Sequence, residues 1–218
     1  YALLLSSLSG CGTLGYYWQA GAGHLDVMVS ARPVAEVLAD PSVAEKSKEA
    51  IRYAREVRAF ASKQLHLPDN ESYTTYADLG RPYVVWNVVA TPALSLTPKR
   101  WCFAVVGCLA YRGFYDEADA RAMADELRAA NHDVLVGGVR AYSTLGWFTD
   151  PLLNTMLSAS RLYTAEVIIH ELAHQELYID DDTAYNEAFA TAVADEGLRR
   201  WLESRDDNVL SQRARSVQ

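Results

Sequence analysis

The chain has 218 residues, half of them hydrophobic, and a formal net charge of −8 at pH 7. That length suits one domain, or one domain with an appendage, and the composition belongs to a folding chain rather than a disordered one. No basic run is long enough to track a phosphate backbone, which excludes nucleic acid as a partner.

In chain order, residues 1–11 come first: a short apolar run followed by small residues, the pattern of the end of a secretory signal. The run is too short to span a bilayer. Leu8-Ser9-Gly10-Cys11 reads as a bacterial lipobox, with Cys11 lipidated and residues 1–10 removed. The alternative is a buried N-terminal helix carrying an incidental cysteine. No charged start region precedes the run and no stop signal closes the polar end, so a longer parent protein is expected.

Residues 12–30 read as a helix, and Pro33 and Pro41 punctuate a short connecting element. Residues 42–65 form a long amphipathic helix with Ser42 as its cap and Val43, Ile51, Ala54, Val57 and Leu65 on one face. After Pro68 the chain turns β-branched and aromatic, which predicts strands over 73–96 and again over 100–115. Helix 116–131 follows, with Asp116 near its start. One more strand runs over 132–148, interrupted at Gly137-Gly138. Two helices, 161–178 and 183 to about 201, flank the break at Asp180-Asp181-Asp182. Helices, then strands with one helix, then helices do not alternate as a doubly wound sheet does, so the fold class is α+β.

Export would place the chain in an oxidising compartment, which makes Cys102 and Cys108 relevant. Along one strand they would stand roughly 20 Å apart. A disulfide needs Cα atoms within about 7 Å, so the chain must reverse between them. Gly107 permits a turn, whereas Val105-Val106 disfavours one. A local disulfide and two buried thiols stand as equal alternatives.

The chemistry concentrates in "VIIHELAHQ", residues 167–175. His170 and His174 are four apart in helical sequence, so both imidazoles leave one side of the helix. Two such nitrogens bind one Zn²⁺, and Glu171 in this pattern reaches the attacking water rather than the metal. Val167, Ile168, Ile169, Leu172 and Ala173 make the surroundings apolar, where polar groups need a compensating partner. A third protein ligand leaves the fourth position for water. Glu187 is the favoured ligand, since the turn at 180–182 lets the second helix fold back and Ala190, Thr191 and Ala194 share its face. Asp195 and Glu196 are the rivals.

His170-Glu171-x-x-His174 followed by Asn186-Glu187-Ala188-Phe189-Ala190 resembles the gluzincin metallopeptidases, such as thermolysin and the zinc aminopeptidases of the alanyl-aminopeptidase type. The interval from His174 to Glu187 is shorter here than in either. More closely, "LPDN", "YADLGRPYVVWNV", "WCFAVVGCLAYRGF", "VGGVRAYSTLGWFTDPLLNTM", "HELAHQ" and "NEAFATAV" are similar to a bacterial family of lipoproteins regarded as predicted aminopeptidases. The similarity covers most of residues 11–203.

The resemblance implies a zincin-like fold, a mixed sheet with an edge substrate strand over a metal-binding helix pair. It also implies a single Zn²⁺, a peptide substrate, and a lipid anchor at Cys11 on the periplasmic side of the envelope, at the outer membrane. Residues 1–11 are then the signal remnant and lipobox, and 12–218 the peptidase domain, with further C-terminal helices expected beyond it.

On this reading Glu171 is the general base. A tyrosine donates to the developing oxyanion, Tyr142 first and Tyr163 or Tyr185 after it. Gly137 and Gly138 belong to the substrate strand, and Asn186 and Thr191 are candidates to orient the ligands. Arg112 pairs with a structural acid or a substrate carboxylate, and Glu166 either meets the substrate amine or caps a solvent face. Exopeptidase and endopeptidase action both stay open. So do a non-catalytic zinc-binding envelope lipoprotein and a metallohydrolase of another envelope amide.

Overall fold

The computed structural model describes residues 11–103, 107–144 and 146–205. Helix α1 (Cys11–Val29) leads into a two-residue strand β1 (Arg32–Pro33), a short helix α2 (Val34–Ala39) and the long helix α3 (Glu45–Leu65). Strands β2 (Thr75–Ala77), β3 (Val85–Pro92), β4 (Trp101–Phe103), β5 (Gly107–Leu109) and β6 (Arg112–Phe114) follow, then α4 (Glu117–Ala129) and β7 (His132–Val139). The last elements are β8 (Leu152–Leu153), α5 (Asn154–Leu157), α6 (Arg161–Glu176) and α7 (Thr183–Ser204). The class is α+β, as the order of patterns predicts.

Several local expectations change. Helix α3 starts after Ala44, which offers no side-chain cap. Ser42 instead donates through Oγ to Asp40 Oδ1 at 2.6 Å, which makes it part of the preceding turn. The segment 100–115 is not one strand: β4 and β5 form a hairpin with Cys102 opposite Cys108, and the two are disulfide-bonded. The two strands therefore run antiparallel, and Val105-Val106 lie outside the described residues. Strand β7 runs unbroken through Gly137 and Gly138, paired residue for residue with β3, and ends at Val139. Leu8, Ser9 and Gly10 of the predicted lipobox lie outside the described residues, as does the Cys11 side chain. Among the described residues no helix is long and apolar enough to cross a membrane.

Three small sheets result, ordered β1-β2-β8, β6-β3-β7 and β4-β5. Two cores organise them. The larger gathers α3, α5, α6 and α7 with β2 and β8 around Ile51, Val57, Leu152, Met156, Ile168, Ile169 and Leu172. The smaller lies between β3, β6 and α4, on Trp86, Val88, Phe114, Ala120 and Leu127. Burying such side chains contributes about 1.5–3 kcal/mol each. Strand β7 lies at an edge of its sheet, so one of its sides has no strand partner among the described residues.

Candidate metal centre

Helices α6 and α7 are antiparallel neighbours joined by a six-residue turn. Ser160 caps α6 by accepting from Tyr163 N at 3.1 Å, and Asp182 caps α7 by accepting from Tyr185 N at 3.0 Å. Each cap satisfies an amide that the helix itself leaves unpaired. Ala190, Ala194 and Gly197 are buried on α7. A side chain at Gly197 would meet Ile169 and Leu65 within 3 Å, so the small residue lets the helices close up.

This close approach brings three candidate ligands together. His170 Nε2 and His174 Nε2 stand 3.1 Å apart. Glu187 Oε2 lies 3.4 Å from His170 Nε2, and its Oε1 lies 3.6 Å from His174 Nε2. Tetrahedral ligands at about 2.0–2.1 Å from one zinc stand roughly 3.3–3.4 Å from each other. The spacing therefore fits one ion. The chemistry fits too, because two ring nitrogens facing each other with a carboxylate make a donor set that could hold a cation. Glu187 stays 57% exposed at the side chain, which leaves the centre open on that side.

Electrostatics separate the members. The hydrogen bond with Glu187 holds His170 above the usual imidazole range. Burial holds His174 below it, against the pull of the Glu187 charge. Glu187 is itself kept low by His170. Glu171 is 8% exposed, and burial pushes its carboxyl up to about 7, opposed by His170 and assisted by the charges of Glu187 and Asp150. A carboxyl poised near neutrality is suited to taking and returning a proton.

The rival ligands go elsewhere: Glu196 is ion-paired with Arg199 and Arg200, and Asp195 is exposed beside Glu166. Glu166 is exposed, and burial, with Asp195 second, raises its carboxyl. The Asn186 side chain bonds the turn and not His170, His174 or Glu187 among the described residues. Its amide accepts from Ile179 N at 2.8 Å and donates to Ile179 O at 2.7 Å, so it ties down the turn between the two helices. Thr191 is exposed one turn after Glu187 and makes no side-chain hydrogen bond among the described residues. Arg112 stacks its guanidinium over Tyr16 at 4.1 Å, a structural contact. Gly137 has open space where a side chain would be, and the Tyr83 ring packs onto Gly138.

The tyrosines divide. Tyr142 Oη is 2.9 Å from His24 Nδ1 and is hydrogen-bonded with Tyr115, and the carboxylate acting on it is Asp150. Tyr163 feels the charges of Glu171 and Glu166, and Tyr185 is exposed. Two further tyrosines approach the centre without any signal in the sequence pattern. Tyr111, just after β5, lies in the field of both Glu187 and Glu171. Its hairpin touches the helix turn, since a Cβ at Gly107 would collide with the Asp181 carboxylate. Tyr73 is 2% exposed and lies in the field of Glu171 and Asp150.

A family model described as "Putative aminopeptidase" matches residues 15–218. No curated protein and no solved structure matches the chain.

Proposed function

The chain belongs to the putative aminopeptidase family, and on that premise we propose that it is a zinc-dependent metallopeptidase that removes residues from the N-terminus of peptides. The observation that carries the reading is the convergence of His170, His174 and Glu187 beside a buried, near-neutral Glu171. His170, His174 and Glu187 would hold the ion. When bound, zinc lowers the pKa of its water toward neutrality and polarises the scissile carbonyl.

The protein's own groups do the remainder. Glu171 takes the proton of the attacking water and returns it to the leaving amine. Tyr111 is our preferred donor to the carbonyl oxygen, because its phenol lies in the field of both Glu171 and Glu187 while Tyr142 is engaged by His24 and Tyr115. The outer side of β7, at Gly137 and Gly138, is the proposed place for an extended substrate to add as a strand. That strand leads toward the metal helix: Arg140, just past its end, donates to Ser158 Oγ at 3.1 Å, and α6 begins three residues later. The fold is zincin-like on this reading.

Envelope location through a lipid at Cys11 rests on the lipobox pattern. Cys11→Ser should move the exported protein from the membrane to the soluble fraction, and unchanged membrane association would remove the anchor from the proposal.

The test of activity offers the metal-loaded protein one peptide in free and N-acetylated forms, with and without chelator, read by mass spectrometry. Chelator-sensitive, stepwise shortening of the free peptide alone is the expected result. Internal cleavage of both forms would make the protein an endopeptidase, and no cleavage of either would end the peptidase reading.

A further inference from the structure

Tyr73 sits with φ at 65°, in the left-handed region that bulky side chains seldom occupy. Such a conformation persists only where the surroundings impose it. They do so here through the segment 69–73. Tyr73 N donates to Asp150 O at 2.7 Å, and Ser72 N donates to Asn70 Oδ1 at 2.9 Å. Arg58 Nε donates to Ser72 O at 2.7 Å. Asn70 Nδ2 donates to Gln175 Oε1 at 2.7 Å, and Gln175 Nε2 donates to Ser72 Oγ at 3.4 Å.

Gln175 directly follows His174 and lies one turn beyond Glu171 on the same face of α6. A segment fastened to Gln175 thus delivers its next residue, Tyr73, to the level of Glu171. The phenol is enclosed, yet its hydroxyl has no hydrogen-bond partner among the described residues. Glu171, 8% exposed as a residue, also accepts no hydrogen bond through its carboxyl among them, and its charge acts on Tyr73. Asp150, the other carboxylate acting on Tyr73, is already engaged by Thr144 N at 3.0 Å and by the Ser143 side chain. A buried donor without a partner, in the field of a carboxylate with acceptor capacity to spare, gains by pairing with it, because burial without a partner is the costly arrangement for the hydroxyl.

We infer that Tyr73 is a positioning residue for Glu171, its hydroxyl donating to the Glu171 carboxylate, either directly after a turn of the Glu171 side chain or through one water. The carboxylate is then held in the orientation that faces the attacking water. The inference rests on the peptidase reading for its catalytic consequence and on the packing alone for the pairing.

Tyr73→Phe removes only the hydroxyl and keeps the ring in the core. The expected result is a fall in kcat of about ten- to a hundredfold with KM and zinc stoichiometry unchanged. A merely structural Tyr73 would move the melting temperature and leave kcat alone. The pairing is read separately by the thermal stabilities of zinc-loaded Tyr73→Phe, Glu171→Gln and the double variant, where a paired hydroxyl and carboxylate give non-additive shifts. Additive shifts overturn the pairing. Non-additive shifts with kcat within about twofold of the unchanged protein overturn the positioning role. The cycle needs no turnover, so it decides the pairing even if the protein cleaves no peptide, and the two failures stay distinct.

Discussion

The two cores differ in size and in what they can hold still. Among the described residues the helical core has 26 buried hydrophobic members and the sheet core six. His170, Glu171 and His174 stand on a helix whose Ile168, Ile169 and Leu172 are wholly enclosed in the larger core, and Ala194 and Leu198 bind α7 to it. A metal site tolerates displacements of only a few tenths of an ångström, and close packing supplies that rigidity. The sheet core is thin and leaves one side of β7 without a strand, which suits a surface that accepts an extended chain. The division of labour we draw is chemistry on the helical half and substrate alignment on the sheet half.

The most severe test replaces the chemistry alone. Glu171→Gln should abolish turnover, by about 10²–10⁴-fold or more, and keep the zinc. His174→Ala should lose both, as metal analysis of the purified protein will show. Retained activity in Glu171→Gln would remove the general base from the mechanism, whereas full zinc content in His174→Ala would remove the ligand.

The next test sets the cores against each other. Ile168→Ala in the helical core should cost about 2–5 kcal/mol and weaken zinc retention, since the cavity opens under the metal helix. Val88→Ala, equally buried in the sheet core, should destabilise by about 1–2 kcal/mol and leave zinc affinity unchanged. Denaturant unfolding and a competitive zinc titration on both variants measure this. Equal loss of zinc affinity in both would mean that the two cores act as one body, and the comparison would fail.

A smaller effect is expected from the hairpin. Cys102→Ser removes a bridge that closes a short loop, worth about 2 kcal/mol on the chain-entropy account. Thermal unfolding should register that loss. Zinc content should hold, because all three ligands stand on α6 and α7. Activity should fall if the hairpin positions Tyr111 over the centre.

The same comparison explains which parts were legible in the sequence. The placement of His170 and His174 together was, because a helix converts a spacing of four into one shared face with no help from distant residues. Glu187 was nearly as clear, since α7 follows after one short turn and carries small residues toward α6. Residues whose task depends on distant partners were not. Asn186 looked like a ligand partner, but its amide matches the main chain of Ile179, a geometry set by the turn. Gly137-Gly138 suggested a break, whereas eight successive pairings with β3 carry the strand through it. Tyr73 and Tyr111 arrive on irregular segments, where no period reports which way a side chain faces.

The smallest predicted effect concerns a part of the helical half remote from the metal. Asp40 Oδ1 accepts from Ser42 Oγ at 2.6 Å and from Ser42 N at 2.9 Å, and Oδ2 accepts from Arg32 at 3.0 Å. The Ser42 bonds, then Arg32, hold its carboxyl down at about 2, below its ordinary value of 3.8. A carboxyl with a depressed folded-state pKa stabilises the fold above its unfolded value, and that contribution disappears as pH falls through the folded value. Asp40→Asn should therefore melt slightly lower than the unchanged protein at neutral pH, and the gap should close between pH 3.8 and about 2. Paired melting scans across that range test the sign. Zinc content at neutral pH should not move, because the turn before α3 touches neither α6 nor α7 through these bonds. A coupled loss of zinc would mean that rigidity at the metal draws on the whole helical half rather than on the residues packed directly beneath it.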